Sequence, residues 1–159
     1  MRFLVKPMDF PNAFMYGAGH GGVEAMLLCG VASISNIASA VMINSGTMSA
    51  QLATLDAEKA ADTAAALSAL WTTPSLTFFA GGIERIIAVV LHLSLSILVF
   101  QSIRKKAPIE LVRAYLFHFV IDSLSVLLSA VASVWVVELV TALVTGGAVL
   151  MARYACMEE

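Results

Sequence analysis

Long apolar runs separated by short polar ones set the pattern of this chain, and the runs at about 13–43, 75–103, 110–131 and 134–152 are each near or above the roughly 20 residues a helix needs to cross bilayer hydrocarbon. Pro74 and Pro108 stand where the second and third helices begin, a position at which the missing N–H costs nothing. Thr73 is a candidate N-cap for the second. No Pro or Gly interrupts 109–145, yet one helix of that length would overrun any bilayer, so a turn is expected near Ser129 to Ser133. Residues 44–72 form a more polar connector, in which DAEKAADTAAALSALW (56–71) reads as a short helix outside the membrane or along its surface. The expected fold is all-α: a polytopic transmembrane bundle of about four spans, forming one domain over 1–159.

Composition agrees with that pattern. The chain is 60% hydrophobic and 13% charged, with a mean hydropathy of +0.90, the profile of an integral membrane protein rather than a soluble domain. A net charge of -2 says little about partners. The basic cluster Arg104, Lys105 and Lys106 lies where a helix leaves the bilayer, so no nucleic-acid partner is expected. Arg2 and Lys6 precede the first span, Arg113 joins the cluster at the 104–113 turn, and Arg153 follows the last span, whereas the other side carries Lys59 among acids. Both termini are therefore expected in the cytoplasm, with the chain in a bacterial cytoplasmic membrane and the lipid bilayer as its surroundings. Pro7, Asp9 and Pro11 break the N-terminus before any long apolar core, which argues against a cleaved signal peptide. Cys29 and Cys156 have no spacing that suggests a disulfide framework or a zinc knuckle.

The candidate chemistry lies inside the apolar runs. His20 and Glu24, and likewise His118 and Asp122, are four residues apart, and Glu84 precedes His92. An ionisable group in hydrocarbon is costly unless it is paired or has a task. At about 1.5 Å per residue, Glu24 and His92 lie roughly 16 Å in from the cytoplasmic ends of their helices, and His118 and Asp122 roughly 12 and 18 Å in. Four groups on three helices thus share one depth, with His20 about a turn shallower. Glu84 lies about 12 Å beyond His92, with Arg85 as a structural partner. Glu138 reads as interfacial, and Ser94, Ser96, Ser123 and Ser125 as residues bonding to backbone carbonyls or neighbouring helices. Gly17, Gly19, Gly21 and Gly22, with Gly81 and Gly82, allow backbones to approach closely. A single intramembrane His is often a hydrogen-bonding residue between helices, but agreement in depth favours a joint centre. Such a centre contains the elements of hydrolysis: Glu24 as a base sharing a water with His92, and His118 with Asp122 to bind a substrate carbonyl or orient the first pair. The alternative is zinc ligation by His20, Glu24, His92 and His118.

GAGHGGVEAMLL (17–28), GGIERIIAVVLHLSLSILV (81–99) and YLFHFVIDSL (115–124) together resemble the YhfC family of intramembrane metalloproteases, itself related to the CAAX-protease and bacteriocin-processing superfamily. The resemblance implies Glu24 as the catalytic acidic residue, His92 as its water-activating partner and His118 with Asp122 as the last motif, and it places His20 in an HGGxE form of the first motif. Gly22 to Glu24 stand where the superfamily has paired glutamates followed by Arg. The chain looks like the C-terminal part of such a protein. The implied function is hydrolysis of a peptide bond at or within the membrane, on a membrane-embedded or membrane-associated peptide, with zinc if the enzyme is a metalloprotease and no cofactor if it is of the glutamate type. Two other classes use the same residues: a transporter or proton-coupled carrier, against which the lack of internal repeats counts, and a noncatalytic truncated membrane scaffold.

Overall fold

The computed structural model describes residues 9–157. Arg2 and Lys6, which entered the orientation argument, lie outside the described residues. Among the described residues there is no strand, and the helices are α1 (Phe10–Ala25), α2 (Val31–Asn44), α3 (Thr47–Leu52), α4 (Ala57–Thr72), α5 (Ser75–Arg104), α6 (Pro108–Ser129) and α7 (Val134–Met157), with a π-helical turn at Met26–Gly30 between α1 and α2. Four helical stretches are long and apolar enough to cross a membrane: Phe10–Asn44, Ser75–Arg104, Pro108–Ser129 and Val134–Met157. The first differs from the single regular helix expected, because its hydrogen-bond register widens at Met26–Gly30. Thr73 also departs from its expected role. Its backbone N–H donates to Ala69 O at 3.1 Å, so it ends α4, and Thr77 N–H reaches Pro74 O at 2.9 Å to start α5.

Contacts divide the chain into two compact units. One comprises the chain up to Ala25 together with the residues from Phe79 onward. Its core is an aliphatic seam of Leu91, Leu95 and Leu98 on α5, Ala114 and Ile121 on α6, and Ala148, Ala152 and Ala155 on α7. The alanines suit a membrane bundle, where apolar surface gains little by leaving lipid and close van der Waals packing between small residues drives association. Buried α7 positions recur at 138, 141, 145, 148, 152 and 155, the three- and four-residue spacing of one helix face. Polar bonds tie the α5–α6 turn to the end of α7: Lys105 Nζ donates to Ala155 O at 2.6 Å, and Gln101 Nε2 contacts Cys156 Sγ at 3.2 Å. Beside them, Arg113 pairs with the buried Glu110 at 2.6 Å.

The other unit, residues 26–78, contains α2, α3 and α4. Gly46 turns the chain with φ +76, a left-handed conformation that costs a residue without Cβ little. Asp56 caps α4 by accepting from Lys59 N at 2.9 Å, and its second oxygen accepts from Lys59 Nζ at 2.8 Å. The Lys59 side chain first, and its amide second, hold the Asp56 carboxyl below its ordinary range. Ile43, Met48, Leu52, Leu67 and Trp71 line an apolar hollow of this unit.

Candidate active site

Glycine spacing brings the first motif onto the second. Ala13, Gly17 and Gly21 are the buried residues of α1, four residues apart and therefore on one stripe. A Cβ at Gly17 would lie 2.9 Å from both His92 O and Leu93 Cα, and one at Gly21 would lie 3.0 Å from His92 Cβ. The backbone of α1 thus rests directly against α5 at His92, as small-residue spacing of this kind permits. Gly19 and Gly22 would meet nothing within 4 Å.

From that contact, His20 and Glu24 reach His92. His92, only 4% exposed, has its Nε2 3.0 Å from Glu24 Oε2, and its ring centroid lies 4.7 Å from that of His20. On the other side the His118 ring of α6 lies 5.3 Å from His92. His118 Nε2 is 3.3 Å from Asp122 Oδ2, one turn along the same helix. All five residues singled out in the sequence are therefore brought together. His20, Glu24 and His92 each offer one ligand atom, and the three atoms lie within 4.8 Å of one another; His118 is not part of this group. Two imidazoles and a carboxylate at that separation fit a divalent metal such as zinc, which takes N and O ligands at about 2.0–2.2 Å.

Two cavities meet at His92 and His118, the first with several charged side chains in its lining and the second more apolar. Glu24, Glu84, Arg85, Asp122, Ser125 and Thr141 join the two histidines around a cavity of about 70 Å³. Tyr16, Leu95, Val99, Leu111 and Tyr115, with His20 at the same end as the other histidines, line one of about 330 Å³. Glu84 bonds to Arg85 as expected. Ser94 Oγ donates to Val90 O at 2.9 Å, the backbone bonding read from the sequence for such serines.

The YhfC intramembrane metalloprotease family matches residues 1–141. The chain belongs to this family. A curated YhfC protein of Bacillus subtilis (strain 168), described as an uncharacterized membrane protein, is 39% identical over 119 residues, which make up 74% of this chain and 45% of that relative. This YhfC-family chain thus spans less than half the length of the curated relative it matches. No solved structure matches it.

One acidic residue near a helix start is buried in the bundle, which depth alone does not indicate. Glu138, expected at the interface, is 7% exposed. It lies on the buried stripe of α7 with Thr141, Thr145 and Ala148, and among the described residues its Oε2 has no hydrogen-bond partner. That stripe of small residues, extended back one turn from Thr141, is the signal that could have placed it.

Proposed function

We propose that this chain carries the catalytic centre of an intramembrane peptidase. The observation that carries the reading is the 3.0 Å contact of Glu24 with the buried His92, made across two helices and flanked by His20 and by the His118–Asp122 pair. Family membership supports it. Glu24 accepts a proton from water, and His92 orients that carboxylate and shares the charge. His118, held by Asp122, faces the same cavity and stabilises the oxygen of the scissile carbonyl as charge develops on it, then delivers a proton to the departing amine. The apolar cavity around Tyr16 and Tyr115 receives an apolar side chain of a membrane-embedded or membrane-associated peptide.

The chain's own donors also suit the metal in the family's description. His20, Glu24 and His92 would hold it, and a bound metal supplies Lewis acidity that makes water acidic near neutral pH. Glu24 would in that case be a ligand, and the His118–Asp122 pair would be the group left to accept a proton.

The test is a comparison of membrane-protein N-termini in cells expressing the wild type or Glu24→Gln. New N-termini within or beside apolar segments should appear with the wild type and be missing with the variant. An identical set in both overturns the peptidase assignment. Zinc content of the purified wild type and of His92→Ala separates the two versions: stoichiometric metal lost in the variant supports ligation, whereas a metal-free active protein supports Glu24 as base.

A further inference from the structure

Hydrolysis consumes one water for each bond cut, and bulk hydrocarbon supplies none, so a centre at membrane depth, here the buried His92 with the part-exposed Glu24 and His118 and the exposed Asp122, needs a polar route to solvent. On α6, His118, Asp122, Ser125 and Ser129 follow one another at intervals of four, three and four residues, which is a single helix face. That face runs about 16 Å from the centre to the last turn of the helix. Opposite it, α5 presents Glu84 and Ala88 and α7 presents Thr141 and Glu138, residues that line one or both of two cavities. The inner cavity, about 70 Å³, contains Glu24, His92 and Asp122, and is large enough for several waters at about 10–15 Å³ of occupied volume each. The outer one, about 380 Å³, has Glu84, Ser125, Ser129 and Glu138 among its lining beside Ala132 and three valines, and so reaches the α6–α7 turn. Glu84 and Ser125 belong to both. The unpartnered Glu138 Oε2 and Arg85 Nε are the kind of buried polar atom that water satisfies.

We infer that water reaches the Glu24–His92 centre from the α6–α7 end of the bundle, along the Ser129–Ser125–Asp122 face of α6, and that the ion pair of Glu84 with Arg85 forms the narrow point between the two cavities. The apolar cavity on the other side of His92 is thereby left to the substrate, so the two reactants arrive from opposite directions. The purpose of the route rests on the hydrolytic reading; its existence does not, and the test below uses no substrate.

The probe is silver ion, which passes through water-filled space and modifies thiolates, added to proteoliposomes of a background in which Cys29 and Cys156 are Ser. Single cysteines are introduced as Ser129→Cys, Ser125→Cys and Ala88→Cys, with Ser133→Cys as a turn marker and the outward-facing Leu127→Cys, 66% exposed on the bundle surface, as the lipid control. Protection from later maleimide labelling in denaturant is the readout. Protection is expected at 133, 129, 125 and 88 and not at 127. Adding Ser125→Phe, or separately Ser129→Phe, should abolish protection at Ala88→Cys while leaving Ser133→Cys protected. The route is overturned if Ala88→Cys stays unprotected beside a protected Ser129→Cys, or if neither Phe changes Ala88→Cys. An identical set of N-termini with the wild type and Glu24→Gln, beside a positive silver result, would refute the peptidase and leave the route standing.

Discussion

Replacing Gly17 by Ala perturbs the contact on which the candidate site depends. The new methyl would meet His92 O and Leu93 Cα at 2.9 Å and Ser96 Cβ at 3.0 Å, against ordinary carbon contacts of about 3.5 Å or more, so α1 must retreat by about 0.6 Å. A rigid shift of that size stretches the Glu24–His92 contact from 3.0 Å to about 3.6 Å, beyond a hydrogen bond. Overpacking against backbone costs about 1–3 kcal/mol, while removing a helical glycine returns about 1 kcal/mol. Gly19→Ala provides the internal reference, since its methyl meets nothing within 4 Å and receives the propensity gain alone. Thermal unfolding in detergent should therefore place Gly17→Ala below Gly19→Ala, by about 2–4 °C for each kcal/mol of the difference in a chain of this size. Under the metal-bound version of the proposed site, zinc uptake should fall in the first variant and persist in the second. If Gly17→Ala unfolds at or above the temperature of Gly19→Ala, the close seating of α1 on α5 is wrong.

Other consequences are open to measurement. Arg113→Met removes the donor to the buried Glu110 and should cost about 1–3 kcal/mol in unfolding free energy; the double change with Glu110→Leu should recover most of it, and equal losses in single and double variants would contradict the pairing. Asp56→Ala should speed hydrogen exchange of the Lys59 amide and its neighbours at the start of α4, and unchanged exchange would remove the cap. Because the Asp56 carboxyl is held below 3.8 in the folded chain, its contribution is present above the unfolded carboxylate range and disappears as pH falls through the folded value. Amide exchange at Lys59 followed on acidification reads this directly, with Asp56→Asn, which keeps a capping oxygen but no charge, showing no such step.

Much of this architecture could be read from residue types. Apolar run length marks the four spans, and Pro74 and Pro108 sit at or beside two helix starts because a residue lacking an N–H is tolerated there. Counting residues from the helix ends brought Glu24, His92 and His118 to one depth, and the structure does gather them. Depth, however, fixes height and not facing. Glu138 lies near a helix start, which suggests interfacial depth, but only the direction of the α7 stripe decides that it is buried in the bundle. Met26–Gly30 has a composition, MLLCG, that suits a regular helix equally well, so the wider turn depends on surroundings that local sequence does not encode. Thr73 satisfies the rules for both a helix end and a helix start, and only the backbone resolves which.

The bundle of α5, α6 and α7 is fastened unevenly. Lys105 to Ala155, Gln101 to Cys156 and Arg113 to Glu110 cluster where α5 ends, α6 begins and α7 finishes, while at the far end the chain passes from α6 to α7 through a short turn held by backbone bonds from Val131 and Ala132 to Leu128 O. Mechanically this is a tongs-like arrangement, riveted at one end and sprung at the other. Separating α5 from α7 at the fastened end therefore requires breaking the Lys105–Ala155 and Gln101–Cys156 bonds together, so opening the bundle there is a costly motion.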